Sequence, residues 1–246
     1  MFRILTYNVH RCVGVDRRLD VGRVAAVIAA EAPDIVALQE IDVGRARTKG
    51  VDQAHDLARR LGMVSRFHAA FAVEEEQYGD AILTAHPERV IRAAALPGYA
   101  RIPRLEPRGA LWVAIEPAAG HEVQVINTHL GLVPREQQIQ AAALAGGEWL
   151  GAAARRNPLI LLGDFNATQR TLVHRTLAAR LADAHALRPD GQPRVATFPA
   201  SLPMLRIDHV FVSRGVKVKS LRVAASPLAR VASDHLPLVM DFELGG

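Results

Sequence analysis

Four polar segments stand where apolar runs end: Asn8 closes "ILTYN", Glu40 closes "IVALQE", His129 closes "VINTH", and Asp164 and Asn166 close "LILLGDFN". Asp208 in "RIDHVFVS" and Asp234 with His235 in "SDHLPL" stand instead before their runs. One Asn or Asp after a strand is an ordinary turn former; the repetition asks for chemistry. Glu40 and Asp234 offer carboxylates and Asn8 a carbonyl oxygen, hard donors that suit Mg2+ or Mn2+ better than zinc. An ion held by so few acids keeps waters and shares its shell with a substrate phosphate, as phosphoryl chemistry requires. Hydrolysis of a phosphoester further needs a group that orients and deprotonates water, and donors for the non-bridging oxygens. Asp164 suits the first task; Asn166, His129 and His235 suit the second.

These residues need a frame that gathers them. Short runs rich in Ile, Val and Leu (4–7, 35–38, 81–83, 111–115, 123–126, 159–162, 210–212 and 236–240) have the length and flanks of strands. Helical patterns lie between several of them. Asp20 caps a helix whose Val21, Val24, Ala25 and Ile28 share a face and which Pro33 ends; Ala54–Leu61 and Arg135–Gly151 read as two more. If the strands at 210–212 and 236–240 run antiparallel to the earlier ones, their starts share a rim with the others' ends. All six polar segments then meet at one edge of a mixed sheet system, where α/β folds place their sites.

The 246 residues, half of them hydrophobic, suffice for a large core, and no linker, repeat or low-complexity stretch divides them, so one domain over 1–246 is expected. Cys12 is the lone cysteine, which excludes an intrachain disulfide. No apolar stretch approaches the roughly 18 residues of a membrane helix, and a cytoplasmic location is expected. The formal charge of +5 rests on arginines, with only three lysines. Such a mild excess accommodates an anionic substrate without demanding nucleic acid.

Seven segments in order, "TYNVH", "PDIVALQE", "YGDAILTAHP", "NTHL", "GDFN", "RIDHVFVS" and "SDHLPL", resemble the signature blocks of the endonuclease/exonuclease/phosphatase superfamily across nearly the whole chain. The resemblance implies a four-layer α/β/β/α sandwich with two mixed β-sheets, acting on phosphoesters with Mg2+, Mn2+ being the alternative. Glu40 would then be the principal metal ligand, with Asn8 beside metal and phosphate and Asp234 supporting the metal or its waters. Asp164 would position and activate the attacking water, and Asn166 would help hold the phosphate. Asp208 would orient His235 against the scissile phosphate, and His129 would contact the phosphate or assist the leaving group. One block departs from the pattern: relatives more often carry Asn where this chain has Asp80, an added negative charge beside a phosphate site.

Substrate choice is expected in the loops. Arg45 and Arg47 of "GRARTKG", and Arg108 with Arg101 and Arg104 in "RIPRLEPRG", are candidates for an anionic head group or a second phosphate. His209, next to Asp208 on a strand, should face away from the site, and Cys12, with no base beside it, reads as a small filler. Ser233-Asp234-His235 cannot chain as a catalytic triad, because triads are assembled in space, and no Gly-x-Ser-x-Gly elbow or P-loop is present. Few aromatics and short loops favour a phospholipid head group, inositol phosphate or small phosphodiester over duplex DNA. A DNA endonuclease or exonuclease is the alternative within the family, and a non-catalytic binding module the alternative outside enzymology. No protein partner is inferable.

Overall fold

A computed structural model describes residues 1–156, 158–189 and 195–245. Among these residues twelve strands form two six-stranded sheets. The strands are β1 (Phe2–Asn8), β2 (Ile35–Val43), β3 (Val64–Val73), β4 (Glu76–Thr84), β5 (Glu88–Ala95), β6 (Gly109–Ala118), β7 (His121–His129), β8 (Leu159–Asp164), β9 (Ala182–Asp183), β10 (Asp208–Val212), β11 (Val216–Val223) and β12 (Leu238–Leu244). One sheet runs β11-β12-β1-β2-β4-β3 and the other β5-β6-β7-β8-β10-β9. Both are mixed: β1 pairs parallel with β2 and β7 with β8, while β12 lies antiparallel to β1 and β10 antiparallel to β8.

The layering follows from the two-residue period of a strand. Ile4, Ile35, Ala37, Val123, Val125, Ile160, Leu162 and Val210 point between the sheets and form the central core. Their neighbours Leu5, Val36 and Leu38 point outward onto helices α1 (Val21–Ala29) and α2 (Gln53–Leu61). On the far side Trp112, Ile126, Leu161 and Phe211 meet α3 (Pro134–Ala145), α4 (Leu150–Ala153) and α5 (Leu172–Ala178). Two further single turns are α6 (Ala184–Leu187) and α7 (Ala229–Ala232). The result is a helix, sheet, sheet, helix sandwich.

Asp20 caps α1 as expected, its carboxylate accepting from the Arg23 N–H at 2.8 Å. The helix expected over 135–151 is interrupted instead. Gly146 adopts an extended conformation at the end of α3, and Trp149, 3 % exposed, is buried before α4 begins. The run at 236–240 enters the sheet only at Leu238, since Pro237 has no N–H to give a ladder.

A polar link crosses the central core. Gln39 Nε2 donates to Asn127 Oδ1 at 2.7 Å and to Thr6 Oγ1 at 3.0 Å, joining the two sheets. Asn127 Nδ2 in turn donates to the carbonyls of Leu38 and Ala81 at 2.8 and 3.0 Å, so the link ties a β7 side chain to the β2 and β4 backbones.

Candidate active site

The inward parity that builds the core continues to the strand ends. Asn8 shares the face of Ile4 and Thr6, Asp164 that of Ile160 and Leu162, His129 that of Val123 and Val125, and Asp208 that of Val210. Glu40 breaks parity and reaches the same place by another device. The pairing of β2 with β4 is irregular between Leu38 and Ile41, and Glu40 has a positive φ of 59°. Across this bulge Ile41 packs with the helix-side residue Leu38, whereas unbroken alternation would send it to the opposite face. A non-glycine residue held this way costs about 1–3 kcal/mol, and such strain gathers at functional sites.

A cavity of about 520 Å3 lies at this rim, bordered by Glu40, Asp164, Asn166, His129, Asp234, His235, His10, Arg11, Arg47, Tyr78, Arg108 and an apolar wall that includes Phe198 and Leu205. Buried Asp164 is at its floor. Its Oδ2 accepts from Asn8 Nδ2 at 3.0 Å, its Oδ1 accepts from the Asn166 N–H at 2.8 Å, and the Nε2 atoms of His129 and His235 stand 3.5 and 3.6 Å away. Burial, and then the nearby Asp208 charge, push its carboxyl up to about 7.

His235 is gripped from behind. Its Nδ1 lies 2.9 Å from Asp208 Oδ2, the same oxygen that accepts from Thr197 Oγ1 at 2.5 Å. Burial alone would keep the imidazole neutral, but the Asp208 charge and hydrogen bond, aided by Asp164 and Asp234, raise it to about 10. The imidazolium therefore donates Nδ1–H to Asp208 and turns Nε2–H toward Asp164.

His129 is the opposite case. Arg108 Nη1 donates to its Nδ1 at 3.0 Å, and Asn166 Nδ2 lies 3.0 Å from its Nε2. With obligate donors at both ring nitrogens, added protonation is opposed, and burial together with the Arg108 charge holds the ring well below the usual histidine range. One cavity thus holds a charged and a neutral histidine.

The amides are held by neighbours within the site. Asn8, read from the sequence as a carbonyl donor, turns Nδ2 to both Glu40 Oε1 and Asp164 Oδ2 at 3.0 Å, while its Oδ1 accepts from the His10 N–H at 3.1 Å. It ties two carboxylates together. Asn166, read as a phosphate donor, gives Nδ2 to the Leu130 carbonyl at 2.9 Å, with the His129 ring beside it. Asp234 borders the cavity, with Ser233 Oγ 3.3 Å from its Oδ1.

The arginines separate. Arg45 is outside the cavity, its Nε 2.9 Å from Glu76 and its guanidinium 5.6 Å from the Phe71 ring centre. Arg47 borders the cavity but forks onto Asp42 at 2.7 and 2.8 Å, and Arg108 pairs with Glu106 at 2.9 Å. Asp80, 2 % exposed, has its carboxyl raised to about 8 by burial, against the pull of Arg108, with Glu40 and Asp164 adding to the rise. His209 faces away as parity requires, donating Nε2–H to the Ala167 carbonyl at 2.7 Å.

Sequence reading overlooked Thr197, Phe198 and Leu205, which lie in no recognisable block, and the link between Gln39 and Asn127. It also passed over His10 and Arg11 as binding groups. Residues 10–12 form a left-handed turn with φ of 45°, 58° and 56°, none of them glycine, a conformation costing about 1–2 kcal/mol per residue. Buried Cys12, its thiol pushed up by burial, anchors this turn as a filler.

A second cluster, His174, Asp183 and His209, lies behind β10. Arg206 forks onto Asp183 at 2.9 and 3.1 Å, so its acid is already neutralised.

Comparison with known proteins agrees with this architecture. The Escherichia coli (strain K12) protein YbhP is 28 % identical and aligns with 99 % of this chain and 96 % of its own length. An endonuclease/exonuclease/phosphatase from Beutenbergia cavernae superposes with a TM-score of 0.76 at 25 % identity, over 100 % of this chain and 72 % of that one. A mannosyl-6-phosphatase from Bacteroides thetaiotaomicron has the same fold, with a TM-score of 0.76 at 19 % identity over 99 % and 100 % of the two chains. The model of the endonuclease/exonuclease/phosphatase family matches residues 5–235, and the chain belongs to that family.

Proposed function

We propose that the protein is a Mg2+-dependent hydrolase of phosphoester bonds, with Mn2+ able to replace Mg2+. The observation that carries this reading is the buried Asp164 carboxylate lying within 3.6 Å of His235, whose other ring nitrogen is held by Asp208. The arrangement sets a base beside a cation at the floor of a cavity.

The donor set fits a hard divalent cation. Glu40, Asp80, Asp164 and Asp234 crowd one rim, and two of these acids are raised in part by their neighbours' charges, a repulsion that a cation relieves. Glu40 and Asp234 would hold it, with the Asn8 amide fixing Glu40. Asp164, Asp208 and His235 also have ligand-type atoms within 4.8 Å of one another. Asp208, however, is committed to His235 and Thr197, which makes that trio the poorer holder. When bound, the ion would neutralise charge developing on the phosphate oxygens.

The chain's own groups supply the rest. Asp164, raised to about 7, accepts the proton of an attacking water near neutral pH, where a general base is most effective. His235 donates Nε2–H to a non-bridging oxygen and carries positive charge toward it. His129 remains neutral and orders the wall shared by Arg108 and Asn166. A cavity of about 520 Å3 suits a small ester, such as a phospholipid head group, an inositol phosphate or a small phosphodiester, better than duplex DNA.

Release of nitrophenolate from bis(p-nitrophenyl) phosphate tests the reading, measured with Mg2+, with Mn2+ and with chelator. Turnover that requires the metal and disappears in Asp164→Asn is expected. A wild-type chain inactive with both metals across lipid, inositol phosphate, DNA and small-diester substrates would return the fold to a binding role.

A further inference from the structure

Three arginines border the cavity, and two are already engaged. Arg47 is forked onto Asp42, and Arg108 lies between Glu106 and His129. Arg11 forms no ion pair among the described residues. Its Nη2 meets only the His10 ring, and its Nε is buried without a partner. That ring is no counter-charge: His10 Nδ1 lies 3.1 Å from the Val13 carbonyl, which needs a donor there, so Nε2 is left to accept from Arg11.

The backbone that presents Arg11 is held against its own preference. Gln53 Nε2 donates to the Arg11 carbonyl at 2.7 Å, and Gln53 Oε1 accepts from the Asp42 N–H at 3.0 Å. Asp42 is also the residue that clamps Arg47, so one buried glutamine fixes both cationic positions on the same wall. Cys12 N–H closes the turn on the Val9 carbonyl at 2.8 Å. A strained, over-determined turn that delivers an unpaired guanidinium into a cavity is a prepared anion receptor.

We propose that Arg11 receives a second anionic group of the substrate, a phosphate or carboxylate distinct from the scissile phosphate. The preferred substrate class is therefore a phosphoester that carries another anion on its retained arm. The inference rests on the phosphoesterase reading. It narrows that reading, because neither the carboxylates nor His235 would distinguish a singly from a doubly anionic ester.

Three p-nitrophenyl phosphodiesters with a shared leaving group provide the test: the propyl, 3-carboxypropyl and 3-phosphopropyl esters. Their flexible arms let the second group find its own reach. At saturating Mg2+ the wild type is expected to favour an anionic ester over the propyl ester by about tenfold in kcat/KM, the scale of one charge-assisted contact. A gain for both anions marks a general anion receptor, and a gain for the phosphate alone marks a phosphate site; each supports the proposal. In Arg11→Asn, whose side chain tolerates the left-handed backbone, the ratio should fall to near one, and Arg11→Lys should restore part of it. A wild-type ratio near one, or a ratio that Arg11→Asn leaves in place, overturns the proposal. If the wild type hydrolyses none of the three esters yet cleaves another phosphoester such as bis(p-nitrophenyl) phosphate, the proposal is overturned while the phosphoesterase reading stands; inactivity on every phosphoester class with both metals ends that reading and the inference with it.

Discussion

His209→Gln probes whether strand β10 is as sharply two-faced as its geometry demands. Asp208 faces the cavity, while His209 is sealed among Phe165, Phe211 and His174, with ring centres 5.3–5.8 Å apart. Its Nε2–H serves the Ala167 carbonyl, and its Nδ1 is buried without a partner. Burial, then the Arg206 charge, lowers this imidazole from 6.5 to about 4. A histidine lowered in the folded state takes its proton more readily when unfolded, so its contribution is full above pH 6.5 and is lost as the pH falls through about 4. Between pH 7 and pH 4.5 that loss amounts to about 2 kcal/mol. Glutamine keeps an N–H for Ala167 and has no proton to gain. Urea unfolding of both proteins at the two pH values is the assay, because the remaining titrating groups are shared and cancel in the difference. The wild type should lose about 2 kcal/mol more than the variant on acidification. Equal losses, or an NMR titration of the His209 ring near pH 6.5, would show that the ring is not sealed and that the argument from parity is wrong.

Other expectations concern the cavity and its frame. Glu40→Gln should raise the Mg2+ concentration required for half-maximal turnover, and an unchanged requirement removes Glu40 from the ligands. Asp164→Asn should abolish turnover while the far-UV spectrum and melting transition persist; collapse of the fold would assign Asp164 a structural role instead. Asn127→Leu should destabilise the chain by about 2–4 kcal/mol in urea, because it takes the acceptor across the interface from Gln39 and the side-chain donor from two backbone carbonyls in the core. A change under about 0.5 kcal/mol would mean that water or repacking replaces the link.

Why some elements could be read from the residues and others could not has a physical basis. The eight apolar runs are the eight interior strands, covered on both faces and therefore nearly continuous in Ile, Val and Leu. The strands that escaped, β3, β5, β9 and β11, are the four sheet edges. Their half-exposed sequences, such as "ERVIRAAA", alternate too weakly to stand out. Asp164 and Asp208 reach the rim by ordinary alternation, so placing their strands placed them. Glu40 arrives through a bulge that parity does not foresee, and its place at a strand end, not its face, marks it in the sequence. Arg11, Thr197 and the amide orientations of Asn8 and Asn166 depend on loop conformation and on partners distant in sequence, which no local pattern encodes. The break of the 135–151 helix at Gly146 belongs to the same class, with a tertiary demand to bury Trp149 overriding a local preference.

The link between Gln39 and Asn127 also shapes how this chain can change over generations. Gln39 donates to Asn127 across the sheet interface, so an apolar substitution at either position alone leaves a buried polar group short of a partner at a cost of about 1–3 kcal/mol, a large share of a typical stability of about 5–15 kcal/mol. Replacing both together strands no side-chain amide, and only the Leu38 and Ala81 carbonyls are left to find new donors. The two positions, 88 residues apart in the chain, therefore behave as one heritable unit. A lineage crosses between the polar and apolar versions in a single double step, or through an intermediate that has first gained stability elsewhere.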